Sequence, residues 1–326
     1  TVVVKRNSVI SSGVTSINGR PHAEYNALNN KINYKNANLY VTLEPCTHTG
    51  LTQPCVNIIK KKKIKNVFYC FNDPDKRTFK KAKLILNKDN VNCKKIKYDK
   101  YKSFYKSYFS NKKNNLPFTS AKLAISKDYF TINKKEKWLS NHKSRKIGHL
   151  LRSKHDCIVS TSKSINKDNS LLNCRINGLN EFKPDLIIID LELKLKKKLK
   201  LNKLNKKRKT FLLTSIKNEK KLSPYKKLGY KIIIVNSLKN KKDFNILFEK
   251  IYKYGYGRIL FETGLTFLNT LLKKKLLNDL YLFQSNKKIG GDGKNNDTLK
   301  YLKMLKLKNI LKINLNNDKL YNVRIR

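Results

Sequence analysis

Residues 22–55 contain side chains of the kinds that hold a catalytic metal ion. His22 and Glu24 are separated by one residue, Cys46 follows a Glu-Pro pair, and Cys55 lies nine residues further along the chain. One imidazole and two thiolates are good zinc ligands, and they leave a fourth coordination position for water, as a catalytic site requires. A buried histidine among ordinary core thiols is the alternative. The joint occurrence of His-x-Glu and Pro-Cys, each beside a predicted strand or helix, favours metal, with Glu24 moving protons without binding the ion.

The elements that position these residues alternate between strands and helices, which is typical of an α/β domain. Pro21 suits the start of a helix, because its missing N–H would have no partner there. Residues 100–116 are polar and aromatic and end in KKNNLP, so we place a domain boundary there and expect domains at 1–114 and 115–326. The predicted strands of the first domain are 2–4, 8–12, 38–43 and 66–71, and its predicted helices begin at 22 and 54.

The second half of the chain repeats the alternation. A lysine-rich stretch at 194–209 interrupts it, and we interpret this stretch as a solvated loop. The predicted strands are 118–126, 157–160, 185–190, 210–213, 231–235 and 258–262, and the predicted helices are 140–155 and 266–277.

Length and composition limit the protein class. A chain of 326 residues is long enough for two domains. No uninterrupted apolar run approaches the ~18–20 residues of a membrane-spanning helix, and the residues after Thr1 do not resemble a secretory signal. Six cysteines in a chain of this length do not form a disulfide scaffold, and reduced thiols or metal ligands are expected instead. A cytoplasmic protein without membrane contact is therefore expected.

The formal charge of +52 first suggests nucleic-acid binding. However, 64 of the 74 basic residues are lysine, whereas base recognition and phosphate binding usually depend on arginine. The lysines are spread over the whole chain and accompany abundant Asn and Ile, which is the output expected of an AT-rich genome. We therefore interpret the charge as lysines on solvated faces, and expect no specific nucleic-acid partner.

The segment 42–55, TLEPCTHTGLTQPC, resembles the pattern T-L-E-P-C-x-H-x-G-x-T-x-P-C of the bifunctional deaminase–reductases of riboflavin biosynthesis. The long separation of the two cysteines distinguishes this family from cytidine, deoxycytidylate and tRNA-adenosine deaminases. The resemblance implies that His22, Cys46 and Cys55 bind Zn²⁺ and that Glu24 is the catalytic proton shuttle. It further implies a pocket shaped by His48 and Thr52, and a D-P motif at Asp73-Pro74.

The same family carries a C-terminal reductase, and its landmarks follow in order. Segment 122–128 resembles K-x-A-x-S-L-D-G, segment 138–140 fits W-[IL]-[ST], and segment 261–266 matches E-[GA]-G-x-T. Taken alone, the tryptophan of the second segment is equally well explained as a core anchor. The resemblance implies NADPH contacts from Ala124, Trp138, Ser164, Asp168 and Gly264. It implies substrate contacts from Lys122, Arg152, Leu172, Arg175 and Glu262, with both arginines near the substrate phosphate.

The resemblance implies a cytidine-deaminase-like three-layer α/β/α domain followed by a dihydrofolate-reductase-like α/β domain. The expected activities are deamination of a phosphorylated diaminopyrimidine and NADPH-dependent reduction of its ribosyl group, in a homo-oligomer, expected to be a dimer formed through the reductase domain. Because the chain starts at Thr1, inside or just before the first strand, we expect that an N-terminal helix of the family is missing. The alternatives are a nucleic-acid base deaminase with a basic RNA-binding domain, and a non-enzymatic polyanion-binding module with structural zinc.

Overall fold

A computed structural model describes residues 1–16, 19–179 and 184–325 of the chain. The chain divides into two compact units, Thr1–Lys113 and Asn114–Arg326. Within the described ranges, none of the helices combines the length and the apolar character needed to cross a membrane.

The first unit is built on a five-stranded sheet with the order β2-β1-β3-β4-β5. The strands β3, β4 and β5 are parallel, whereas β1 is antiparallel to both of its neighbours. The first two predicted strands form a hairpin, and Arg6 and Asn7 both have positive φ angles, so it closes through a two-residue turn of the type that matches strand twist. The strands are β1 Val2–Lys5, β2 Ser8–Ser12, β3 Asn38–Leu43, β4 Asn66–Phe71 and β5 Asn92–Lys95.

Helices connect the parallel strands of this sheet, as the alternating pattern predicts. The last helix of the unit covers most of the segment that the sequence assigns to the domain boundary. Its aromatic residues pack on the sheet, with the rings of Phe71 and Phe109 5.9 Å apart. The helices are α1 Ala23–Leu28, α2 Cys55–Lys61, α3 Lys81–Lys88 and α4 Lys102–Asn114.

The second unit contains an eight-stranded sheet with the order β11-β10-β9-β8-β12-β6-β13-β15. All neighbours in it are parallel except β13 and β15. The short strands β7 and β14 form a separate antiparallel pair. The strands are β6 Phe118–Ile125, β7 Ile132–Asn133, β8 Cys157–Thr161, β9 Asp185–Ile189, β10 Thr210–Thr214, β11 Tyr230–Ile234, β12 Arg258–Phe261, β13 Asp279–Gln284, β14 Gly293–Lys294 and β15 Lys319–Arg324.

Helices between the parallel strands cover this sheet and complete its core. The largest hydrophobic cluster joins β6, β8 and β12 to the apolar sides of two helices, through residues such as Phe244, Phe248 and Leu268. The helices of the unit are α5 His142–Ser153, α6 Ser162–Asp168, α7 Glu219–Lys227, α8 Lys241–Lys253, α9 Leu265–Lys273 and α10 Lys300–Lys303.

The prediction of a solvated loop at 194–209 was wrong. The lysines of this stretch are exposed, but Leu195, Leu199 and Leu201 are buried in a hydrophobic cluster with β9 and β10. Residues Lys200–Leu204 form a 3₁₀ turn, and Arg208 is also buried. The high lysine content led to this wrong prediction. On a segment that packs against a sheet, exposed lysines and buried leucines can follow one another closely in the sequence.

Candidate functional site

Three elements of the first unit bring the predicted zinc ligands together. His22 immediately precedes α1, Cys46 follows β3, and Cys55 is the first residue of α2. Nδ1 of His22 lies 3.3 Å from Sγ of Cys55 and 3.4 Å from Sγ of Cys46. The ligand atoms of all three residues lie within 4.8 Å of one another. This spacing suits a tetrahedral ion with Zn–S bonds of about 2.3 Å and Zn–N bonds of about 2.0–2.1 Å.

The environment of the two thiols favours one thiolate even before a metal binds. The hydrogen bond from Cys55, with a further contribution from His22, lowers the pKa of Cys46 to about 4. The same hydrogen bond and burial raise the pKa of Cys55. The backbone N–H of Cys55 also donates to Sγ of Cys46 over 3.2 Å. One nitrogen from the half-buried His22 and two soft sulfur atoms from buried cysteines fit zinc.

Glu24 lies in the first turn of α1 and is only 6% exposed. Burial raises the pKa of its carboxyl group, while the nearby His22 lowers it. A buried carboxyl group whose pKa is raised next to a candidate metal site has the chemistry of a general base. Glu24 is thus a buried carboxyl group that feels the charges of His22 and Cys46, and its role as the proton shuttle stays a prediction.

The glutamate before Cys46 has a structural role that the sequence did not predict. Glu44 is buried, and its carboxylate accepts hydrogen bonds from the backbone N–H groups of Asp73, Lys80 and Ala82 over 3.0–3.2 Å. Two of these donors lie at the start of α3, where the first N–H groups of a helix lack partners and a negative charge is favourable. Glu44 therefore fixes the segment after β4 against the short segment that leads from β3 to Cys46.

Helix α4 contributes side chains to this region, which the prediction of a boundary segment missed. The Tyr108 hydroxyl donates to Oδ1 of Asp73 over 2.9 Å, and the hydroxyls of Tyr105 and Thr42 are 2.5 Å apart. The five aromatic residues at 101–109 were the available sequence signal, because a flexible linker rarely carries so many.

The two residues predicted to shape the pocket lie in the loop between the cysteines. His48 contacts the Thr78 hydroxyl through Nδ1, and the backbone oxygen of Thr52 accepts a hydrogen bond from the N–H of Gly50.

In the second unit, parallel strand register places two predicted substrate residues side by side. Phe261 of β12 pairs with Ala121 of β6, so Glu262 and Lys122 follow at neighbouring positions. Burial lowers the pKa of Lys122, whereas Glu262 and Asp168 raise it. The carboxyl ends of parallel strands are where open α/β sheets bind ligands.

Arg152 forms a bidentate ion pair with Glu262, and both side chains are largely buried. Nε and Nη2 of Arg152 donate to the two carboxylate oxygens over 2.6 and 2.9 Å, and Nη1 donates to the backbone oxygen of Asn173. Burial alone would raise the pKa of Glu262, but Arg152 lowers it to about 2. The guanidinium fork of Arg152 therefore faces Glu262, in contrast to the expectation that it holds the substrate phosphate.

Arg175 lies close to this pair but stays exposed. Its Nη1 donates to Oδ1 of Asn173 over 2.8 Å, and burial together with the charge of Arg152 lowers its pKa. Leu172 is buried and has a φ angle of 47°. Arg208 holds this loop, because its guanidinium donates to the backbone oxygens of Leu171 and Leu172 over 2.8 and 2.5 Å. This role could not be predicted from the sequence, since Arg208 follows exposed lysines in a lysine-rich stretch.

Two of the predicted cofactor residues come together at the start of α9. The backbone N–H of Gly264, which precedes the helix, donates to Oγ of Ser164 over 3.2 Å. Gly264 is the N-cap residue and makes no side-chain hydrogen bond to the first N–H groups of the helix, so these groups can bind a phosphate. This arrangement fits a phosphorylated dinucleotide.

The other predicted cofactor residues lie on different elements. Ala124 is half-buried on the same side of β6 as Lys122, and Asp168 ends α6. Trp138 is 53% exposed, so the interpretation of this residue as a core anchor was wrong. Its ring is covered on the surface by Lys137 and by Arg145, whose guanidinium lies 5.0 Å from the ring centre.

Two family models match the chain, one for each unit. The model of the cytidine and deoxycytidylate deaminase zinc-binding region matches residues 1–71. The model of the RibD C-terminal domain matches residues 117–315, which is more than half of the chain. The cluster of His22, Cys46 and Cys55 lies within the first matched range, and the Arg152–Glu262 pair lies within the second.

Individual proteins are similar over most of the chain. The riboflavin biosynthesis protein RibD of Buchnera aphidicola is 28% identical over 316 residues, covering 90% of this chain and 82% of that protein. RibD of Aquifex aeolicus is 28% identical over 293 residues, covering 89% and 80% of the two chains. The solved structure of Acinetobacter baumannii RibD has the same fold, with a TM-score of 0.84 at 22% identity over 99% of this chain and 90% of that one. The chain therefore belongs to the RibD family, with a deaminase zinc-binding region followed by a RibD reductase domain.

Proposed function

We propose that this chain catalyses two steps of riboflavin biosynthesis. The first unit deaminates 2,5-diamino-6-ribosylamino-4(3H)-pyrimidinone 5′-phosphate, and the second unit uses NADPH to reduce the ribosyl group to a ribityl group. The observation that carries the proposal is the cluster of His22, Cys46 and Cys55 beside the buried Glu24, in a chain that continues into a RibD C-terminal domain.

In the deaminase, His22, Cys46 and Cys55 would hold zinc, which acts there as a Lewis acid and activates water for attack on an aminated ring carbon. Glu24 takes a proton from the attacking water and passes it to the leaving ammonia. Burial raises the pKa of the Glu24 carboxyl group, which suits the first step, because a carboxylate of higher pKa is a stronger base toward the attacking water. His48 and Thr52 shape the substrate end of the pocket.

In the reductase, Ser164 and the N–H groups at Gly264 would bind the phosphates of NADPH, which supplies a hydride. The other cofactor contacts are Ala124, Trp138 and Asp168. Lys122 and Glu262 face the sugar from neighbouring strands, and Arg152 holds the Glu262 carboxylate in its ionised form. Arg175 and Leu172 are the remaining residues that would contact the substrate.

The high positive charge does not favour a nucleic-acid deaminase. The lysines of the stretch at 194–209 are exposed and belong to no candidate site. Binding of DNA or RNA at low salt should be independent of sequence and should weaken steeply as salt rises. The separation of the two activities near residue 114, a dimer formed through the reductase unit and a location in the cytoplasm stay predictions.

The proposed function is tested with the diaminopyrimidine ribotide as substrate. Ammonia release is followed without NADPH, and the absorbance of NADPH is followed after its addition. We expect ammonia in both cases and oxidation of NADPH only after deamination. Deamination of an oligonucleotide at a rate similar to that of the ribotide would contradict the proposal.

Replacing Arg175 with lysine is expected to raise the reductase KM for the ribotide about tenfold. A lysine keeps the charge but loses the planar fork that binds phosphate in two places, and a hydrogen bond to a charged group contributes about 1.5 kcal/mol or more. The dephosphorylated substrate serves as the control, because its KM should be the same for the native and variant enzymes. If the variant prefers the ribotide over the dephosphorylated substrate as strongly as the native enzyme does, Arg175 is not a phosphate ligand.

A further inference from the structure

The proposed chemistry leaves one arginine at the zinc site without a role. Arg20 precedes Pro21 and His22, and its Nη2 atom lies 3.6 Å from the position that a Cβ atom on Gly50 would take. Nε2 of His48 lies 3.8 Å from the same position. A guanidinium group and an imidazole nitrogen therefore converge on the space next to Gly50, in the loop between the two cysteine ligands.

The orientation of the His48 ring leaves one of its two nitrogen atoms available for a ligand next to Gly50. Its Nδ1 atom is 3.1 Å from Oγ1 of Thr78, so this nitrogen already has a partner. Nε2 is the ring atom that remains for a ligand, and it is the atom near Gly50. When the threonine hydroxyl donates to Nδ1, Nε2 carries the proton and is a hydrogen-bond donor.

The charge of Arg20 is not neutralised within the described ranges of the chain, where no carboxylate pairs with it. The neighbouring cations are different, because Arg77 and Lys112 both bind Asp75, at 2.6 and 3.4 Å. The Arg20 guanidinium instead lies beside Gly50, in the loop between the two cysteines. An unpaired guanidinium in this position attracts an anion.

We propose that Arg20, together with Nε2 of His48, binds the phosphate group of the ribotide in the deaminase unit. This inference rests on the proposed function, which supplies a substrate with one phosphate. Guanidinium binds phosphate through two parallel hydrogen bonds, and the imidazole N–H can add a third. The phosphate site of the deaminase is thus separate from Arg175, which serves the reductase unit.

The test compares the deaminase activity of the native chain, Arg20→Gln and Arg20→Lys on the ribotide and on the dephosphorylated riboside. For Arg20→Gln we expect KM for the ribotide to rise at least about tenfold, while KM for the riboside stays unchanged. For Arg20→Lys we expect a smaller rise, since the charge remains without the fork. Zinc content equal to that of the native chain shows that the site is intact.

Arg6→Gln is the matched control, because Arg6 lies exposed in the β1–β2 turn of the same unit and its loss lowers the net charge equally. We expect native KM values for both substrates in this variant. If Arg20→Gln prefers the ribotide over the riboside as strongly as the native chain does, Arg20 is not the phosphate ligand although the proposed function stands. Failure of the native chain to deaminate the ribotide would contradict both.

Discussion

Replacing Glu24 with glutamine is expected to lower the deamination rate by at least ~10²-fold and to leave the zinc content unchanged. The glutamine amide has nearly the shape of the buried carboxyl group but cannot take a proton from water. Because Glu24 lies next to the cluster and is not one of its three ligands, the metal should remain. The measurements are ammonia release and metal analysis on the same preparation.

Cys46→Ser is the companion variant, and it should lose both zinc and deaminase activity. Cys46 is the thiol with the lowered pKa, and its Sγ accepts a hydrogen bond from the backbone N–H of Cys55. Its replacement therefore removes the candidate ligand that forms a thiolate most readily. NADPH binding by the second unit should persist in this variant, which shows that the change is confined to the first unit. A full complement of zinc in Cys46→Ser would disprove the assigned ligand set.

Replacing Arg152 with methionine is expected to destabilise the reductase unit by about 3–5 kcal/mol and to abolish reduction. The methionine fills a similar volume but leaves the Glu262 carboxylate buried without its bidentate partner. Nearby Lys122 compensates only in part, because burial already lowers its pKa. Urea unfolding of the native chain and of the variant at pH 7 measures the difference.

Acid should remove the stabilisation that this ion pair gives to the native chain. The folded pKa of Glu262 is about 2, below its ordinary value of 4.5. The contribution is therefore present above pH 4.5 and is lost as the pH falls toward 2. The double variant Arg152→Met, Glu262→Gln should recover stability at pH 7, since it removes the unpaired charge. Equal unfolding of native chain and single variant at pH 7 would show that the pair contributes nothing.

The sequence predicted well which three side chains come together at the candidate zinc site, because the prediction depends on local spacing. His22, Cys46 and Cys55 each lie at the end of a short element, and the element types follow from apolar runs and from Pro21 and Pro54. The structure brings together all three residues that the motif names. Strand order within each sheet could not be read from the chain, because it depends on contacts between distant segments.

The reductase site was harder to predict, because its key contacts join residues that are far apart in the chain. Arg152 and Glu262 are 110 positions apart, and only the parallel register of β8, β12 and β6 makes them neighbours. A single sequence shows that an arginine is present but not which anion it binds. Arg208 is a second example, since its buried hydrogen bonds to the backbone of 171–172 leave no local pattern.

The carboxylate of Glu44 has a consequence for hydrogen exchange. The amides of Asp73, Lys80 and Ala82 share this one acceptor and lie outside the strand ladders. They should therefore exchange with deuterium slowly and at a common rate, as a unit that opens only when β3 and the segment after β4 separate. In Glu44→Gln, which cannot accept as many N–H groups, these three amides should lose protection together while the centre of β4 keeps it. The exchange rate of the amides that follow β4 thus measures how firmly Glu44 holds the segment that leads to Cys46.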